Sequence, residues 1–184
     1  MNEELILVFP TIEYEMQAKE LIKETIELDN NNPDKWAGFA RLNEFEDYRE
    51  WVQKVINSLD STKLEPGRVS ATTYFTVRKS DNKIVGIIDI RHALNDYLRE
   101  FGGHIGYSIR PTERRNGYAK QMLKLMLEEC KKYGLEKVLI CCDKENLGSS
   151  KTILAGGGIL ENEVKDEVGL TASGIIQRYW INIK

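Results

Sequence analysis

The stretch of this chain with the most chemical content is Arg114-Arg115-Asn116-Gly117-Tyr118-Ala119. Gly117 lets the backbone come close to a ligand, and the small Ala119 leaves room beside it. An apolar-alternating run from His104 to Arg110 precedes this stretch, and an amphipathic run from Gln121 to Tyr133 follows it. That order predicts a strand, a short turn opened by Pro111, and a helix beginning near Gly117. The first turn of a helix has unpaired N–H groups and carries the positive end of the helix dipole. Arg110, Arg114, Arg115 and Lys120 crowd the same turn with positive charge. Together these features describe a seat for a phosphate or pyrophosphate. A solvated basic turn capping an ordinary helix is the plainer reading of the same residues.

The elements that would position this turn can be read along the chain. Leu5 to Val8 reads as a strand closed by Pro10. Tyr14 to Leu28 and Glu44 to Leu59 read as helices, separated by the break Asn30-Asn31-Asn32-Pro33-Asp34 and an irregular aromatic stretch from Trp36 to Leu42. Thr72 to Arg78 and Lys83 to Ile90 form a predicted hairpin about Ser80-Asp81-Asn82. Ala93 to Gly103 is a longer connection into the strand His104 to Arg110. The helix Gly117 to Tyr133 is stopped by Gly134, and Lys137 to Cys142 is a continuous apolar run suited to a strand covered on both faces. Ser149 to Ala155 reads as a short helix, and Ile159 to Val164 and Arg178 to Ile183 as the last strands. The expected fold is an α/β domain over residues 1–184. Its central sheet is mostly antiparallel, of about seven strands flanked by about four helices, with a parallel pair across the anion-binding turn.

Composition narrows the function. The 184 residues are 41% hydrophobic and 30% charged, as in an ordinary soluble domain. A net charge of −3 argues against broad nucleic-acid binding, so a local basic patch points to a small anionic ligand. No apolar run approaches a membrane span, and the acidic start Met1-Asn2-Glu3-Glu4 is unlike a signal peptide. Three cysteines in no disulfide framework favour a reducing, cytoplasmic setting. Cys141 and Cys142 point to opposite faces of a strand and read as core packing, and no metal site is expected.

At this point the chain resembles the GNAT superfamily, the acetyl-coenzyme A-dependent N-acetyltransferases. The signature of that family is Arg or Gln, two residues, Gly, one residue, then Gly or Ala. It stands intact in Arg114 to Ala119. Gly106-Tyr107-Ser108-Ile109-Arg110-Pro111 is similar to the strand that enters the family's loop, and Asn146 followed by Ser149 is similar to its next motif. The resemblance implies that the pyrophosphate of coenzyme A rests on the N–H groups of Arg115, Asn116, Gly117, Tyr118 and Ala119, with Arg114 and Arg115 neutralising it. The pantetheine arm would lie along Tyr107 to Ile109 in a splay against Val138 to Cys142. An N–H near Ile109 would polarise the thioester carbonyl, and Asn146 and Ser149 would contact the arm or set the short helix.

The implied reaction moves an acetyl group from acetyl-coenzyme A to a primary amine, of a small molecule or a protein terminus, by direct attack on the thioester. It needs a base for the ammonium and benefits from an acid for the thiolate. His104 is the expected base, with Glu100 and Asp89 as alternatives. A strand histidine bonded to a neighbouring loop is the competing reading of His104. His92 is expected to hold the Asn95-Asp96 loop. No tyrosine lies between Asn146 and Gly158, where many family members carry their acid, so Tyr107, Ser149 or solvent must serve. The acceptor pocket is expected at Trp36, Phe39, the Ala93 to Gly103 connection and Tyr179, and the last strands leave room for a homodimer. A non-catalytic acyl-coenzyme A sensor or assembly module is the alternative function.

Overall fold

The structure is a computed structural model and describes residues 3–183. Met1, Asn2 and Lys184, which fall within the expected domain, lie outside the described residues. The chain begins with strand β1 (Leu5–Val8), followed by helix α1 (Glu15–Leu28) and helix α2 (Tyr48–Asn57). Strands β2 (Ala71–Arg78), β3 (Lys83–Arg91) and β4 (Ile105–Ile109) come next. They lead into helix α3 (Tyr118–Lys132), strand β5 (Lys137–Asp143) and helix α4 (Leu147–Ala155). Strands β6 (Ile159–Lys165) and β7 (Ile175–Asn182) end it. No helix among the described residues is long and apolar enough to cross a membrane.

Local chemistry accounts for the helices that frame the site. Ala18, Leu21 and Thr25 recur at helical spacing and are the buried residues of α1. Helix α2 starts four residues later than the apolar pattern suggested, because the Asp47 carboxylate accepts the Arg49 N–H at 2.8 Å and caps it there. Its buried face is Tyr48, Trp51 and Val55, whereas Ile56 and the following Leu59 are exposed.

Strand β3 is covered on both faces and divides the core. Ile84 and Ile87 join Phe75, Val77, Leu21 and Trp51 beneath α1 and α2. Ile88 and Ile90 join Ile105, Met122, Val138, Ile140 and Ile153 beneath α3 and α4. Phe39 and Tyr179, expected at the acceptor pocket, are 1% and 3% exposed and belong to the core instead.

The expectation of a single sheet of about seven strands is not met. The strands form a four-stranded antiparallel sheet, β1-β2-β3-β4, and a three-stranded antiparallel sheet, β5-β7-β6. The break falls between β4 and β5. The His104 N–H, just ahead of β4, donates to the Leu139 carbonyl at 2.7 Å. The next bond of a ladder is replaced by a side chain, since the Leu139 N–H donates to His104 Nδ1 at 2.9 Å. Among the described residues no ladder joins the two strands beyond that point, and the sheet opens.

Candidate active site

The opening leaves one edge of β4 without a partner strand. Antiparallel strands alternate between residues that bond to the neighbour and residues that face away. Arg110 N–H donates to Val85 O at 2.9 Å, and Arg91 N–H donates to His104 O at 2.8 Å, which fixes the parity. Gly106 and Ser108 therefore bond to β3. Ile105, Tyr107 and Ile109 present their N–H and C=O groups to the gap beside β5. The expected Ile109 amide thus lies on the edge that an extended ligand arm could join as an added strand.

The gap runs into the basic turn. Arg115 and Gly117 both adopt left-handed backbone, with φ of 69° and 78°, and Gly117 sits at the N-cap of α3. Among the described residues the N–H groups of Asn116, Gly117, Tyr118, Ala119 and Lys120 have no hydrogen-bond partner, and the helix ladder begins with Gln121 N–H to Gly117 O at 3.4 Å. A Cβ on Gly117 would meet nothing within 4 Å, so the cradle is open. The side chains do not all point into it. Tyr118 is buried with its hydroxyl 3.1 Å from Arg78 Nη1, and Asn116 Nδ2 donates to Glu113 O at 3.1 Å. Arg114 forks onto Asp29 at 2.7 and 3.2 Å and donates from Nε to Ile109 O at 3.2 Å, while Arg115 is exposed.

Between Ile105, Gly106 and Tyr107 of β4 and Cys141, Cys142 and Asp143 of β5 lies a cleft of about 170 Å³. Its walls include Asp34, Arg91, Tyr97, Phe101, Tyr107 and Ser149. Ser149 stands in the first turn of α4, whose cap is the Asn146 side chain accepting the Ser149 N–H at 3.0 Å. The Tyr107 hydroxyl reaches to 3.5 Å from the Ser149 carbonyl oxygen, and burial raises its phenol well above the usual range. Asp143 accepts from the Glu145 and Ala172 N–H groups at 2.9 and 2.7 Å and from the Ser173 hydroxyl. The Ala172 and Ser173 bonds draw the β6–β7 connection, with Leu170 and Thr171, over the cleft. Burial pushes the Cys141 and Cys142 thiols up to about 12, so neither supplies a thiolate near neutral pH.

Asp34 is the group the sequence reading passed over. It was part of a chain break, a loop carboxylate with no spacing signal. The structure lowers that loop onto β4, where Ser108 Oγ donates to Ala37 O at 2.8 Å. Gly38 (φ 79°) touches the strand so closely that a Cβ there would lie 2.5 Å from Gly106 O. Asp34 is thereby held half-buried in the cleft. Burial first, and then the negative charge of Asp143, pushes its carboxyl up to about 7, against a partial offset from Arg91.

The expected bases are placed differently. Glu100 is exposed on a π-helical turn (Leu98–Gly102) and is not part of the cleft wall. Asp89 is buried and committed to Arg91 Nε at 2.9 Å and to the Thr73 hydroxyl at 2.8 Å. His92, expected to hold the Asn95-Asp96 loop, bonds through Nε2 to the Thr72 hydroxyl at 2.8 Å and stacks on Tyr133. His104 is 6% exposed, and burial, then Arg91 and Arg99, push it down to about 4. Its neutral ring spends the Nδ1 lone pair on the Leu139 N–H and carries its proton on Nε2, so no lone pair is free. Replacing His104 with Ala should therefore cost about 1–3 kcal/mol of stability, the penalty for an orphaned buried amide, as measured by urea unfolding.

The class defined by this fold and site is confirmed by comparison with known proteins. The family model described as the acetyltransferase (GNAT) domain matches residues 16–158. The chain belongs to the GNAT acetyltransferases, whose acetyl donor is acetyl-coenzyme A, and it is an acetyltransferase of that family. Among solved structures, it is similar to the microcin C7 self-immunity acetyltransferase MccE in complex with acetyl-coenzyme A and AMP. That match has 20% identity and a TM-score of 0.72, covering 99% of this chain and 94% of the other. RimL, a ribosomal alpha-N-protein acetyltransferase in complex with coenzyme A, matches at 15% identity and a TM-score of 0.70, over 97% and 94% of the two chains. A GNAT-family acetyltransferase from Bacillus anthracis matches at 17% and 0.66, over 99% and 96%. Among curated proteins none matches the chain by sequence.

Proposed function

We propose that this protein N-acetylates a primary amine, of a small molecule or a protein amino terminus, with Asp34 as the general base. The observation that carries this reading is the Asp34 carboxyl, raised to about 7 in a cleft that opens beside the free edge of β4. A base of that strength is half ionised near neutrality, and general-base catalysis is best matched there. When bound, acetyl-coenzyme A supplies the activated thioester, and the open cradle at Gly117 fits its pyrophosphate. The free N–H groups from Asn116 to Ala119 take that charge. The edge amides of Tyr107 and Ile109 hold the arm, and one of them polarises the carbonyl oxygen. Asp34 accepts the proton of the incoming ammonium, whose apolar neighbour rests on Tyr97 and Phe101. The Tyr107 hydroxyl, protonated throughout the working pH range, delivers a proton to the leaving thiolate from β4 instead of from α4. RimL is by name an alpha-N-protein acetyltransferase, which supports a peptide terminus as one form of the acceptor.

The test is release of free coenzyme A thiol with a panel of small amines and short peptides. Release that depends on one amine class supports the reading. Tight acetyl-coenzyme A binding without release from any member would favour the non-catalytic sensor or assembly module, which the missing α4 tyrosine also fits. Tyr107→Phe should lower kcat by about 10²-fold, the low end for loss of an acid, with the acetyl-coenzyme A dissociation constant unchanged by calorimetry.

A further inference from the structure

The phosphate cradle and the proposed base are contributed by different parts of the chain, yet a continuous set of side-chain bonds joins them. Arg114, in the cradle, forks onto Asp29 at the end of α1, with Nη2 to Oδ2 at 2.7 Å and Nη1 to Oδ1 at 3.2 Å. The same Asp29 Oδ2 accepts from Asn32 Nδ2 at 3.1 Å. Asn32 Oδ1 in turn accepts the Asp34 N–H at 3.0 Å. A carboxylate only accepts and an N–H only donates, so the Asn32 amide can satisfy both partners in one orientation alone. The Arg114 fork holds the Asp29 carboxyl below its usual range, which keeps it charged and able to serve both neighbours. Arg114 also donates to Ile109 O, so the series is anchored at the end of β4 where the acetyl arm would pass.

We propose that Asp29 and Asn32 are positioning residues that fasten Asp34 to the coenzyme loop, so that the loop seating the pyrophosphate and the proton acceptor are set as one unit. This rests on Asp34 being the base. Neither residue touches the cleft, and their effect runs through Arg114 on one side and the Asp34 backbone on the other. The connection ties the asparagine-rich break between two helices to the coenzyme turn. It also makes occupancy of the cradle and the placement of the base interdependent, as an allosteric coupling between two sites requires. The charged and titratable groups around Asp34 are Arg91 from β3, Tyr107 from β4, Cys142 and Asp143 from β5, and Asp29 just after α1.

The experiment is a carbon-13 carboxyl titration of Asp34 in the full chain, with the resonance assigned through Asp34→Asn. It is run with and without 3′-phosphoadenosine 5′-diphosphate, which fills the cradle but lacks the pantetheine arm. In the wild type, Asp34 should titrate near 7, and the nucleotide should move its resonance. In Asn32→Ala the titration should fall by about one unit or more toward the ordinary carboxylate value. The nucleotide should still bind, by calorimetry, but no longer move the resonance. Asn32→Ser supplies an acceptor for the Asp34 N–H but cannot reach Asp29, so it should behave like Asn32→Ala. A serine variant with wild-type behaviour would mean that the local turn suffices, and would overturn the proposal. A nucleotide response undiminished in Asn32→Ala would overturn it too, because the influence would then run through space. A wild-type Asp34 that titrates as an ordinary carboxylate overturns the base itself, and the relay with it, by a different signature.

Discussion

Gly117→Glu is expected to yield a folded protein whose melting temperature no longer responds to acetyl-coenzyme A. In the wild type, ligand at a hundred times its dissociation constant should stabilise by ~2.7 kcal/mol, and for a domain of this size that is a rise of roughly 5–10 °C. The variant keeps its fold because a Cβ at this position meets nothing within 4 Å. The expense is confined to a φ of 78°, about 1–2 kcal/mol for a side chain in left-handed backbone, a tolerable fraction of a typical folding free energy. The loss of binding has two causes. A carboxylate occupies the space the phosphates would take, and it accepts the N–H groups that would have served them. Calorimetric scans of both proteins over an acetyl-coenzyme A series decide the matter. A variant that still shifts like the wild type would place the coenzyme elsewhere.

Asp34→Asn should lower kcat by about 10²–10⁴-fold, the usual contribution of a positioned base, while acetyl-coenzyme A binds as before. The isostere keeps the volume and the backbone bonds of the loop and removes only the proton acceptor. Wild-type activity should rise with pH through about 7, as Asp34 ionises, and the variant should lack that limb. Stability should move the opposite way. The folded carboxyl titrates above its ordinary value of 3.8, so the protonated form favours the fold. That contribution is complete below the unfolded value and is lost as pH climbs through about 7. The variant has nothing to ionise, so it should melt higher than the wild type at pH 8, and the two should differ less at pH 4. Melting curves and a pH–rate series on the two proteins test both statements. An unchanged kcat would remove Asp34 from the mechanism.

The turn proposed to cradle the coenzyme was legible because its chemistry is local. The glycine that turns left-handed, the unpaired amides behind it and the cationic neighbours all lie between Arg110 and Lys120, within one strand-turn-helix unit. The order of strands and helices was legible for the same reason, since apolar spacing over a few residues reports which face is covered. The division into two sheets was not. It turns on whether Leu139 bonds to a backbone carbonyl or to the His104 ring, a choice made across thirty-five residues of chain. That bond also takes the Nδ1 lone pair of His104, the expected base, and ends the ladder there.

What the sequence determined by itself is the family, the donor and the open turn at a helix N-terminus where the donor's phosphates are proposed to sit, because a helix N-terminus favours anions wherever it is placed. What only the tertiary structure decided is where the groups proposed for the proton chemistry stand. Glu100, an alternative base read from the sequence, is exposed. Asp34, which no local pattern distinguishes, is carried by Gly38 and Ala37 against β4 and set beside Tyr107 and Asp143. A carboxyl becomes a base for neutral pH through burial and a like-charged neighbour, and both are properties of what surrounds it in space.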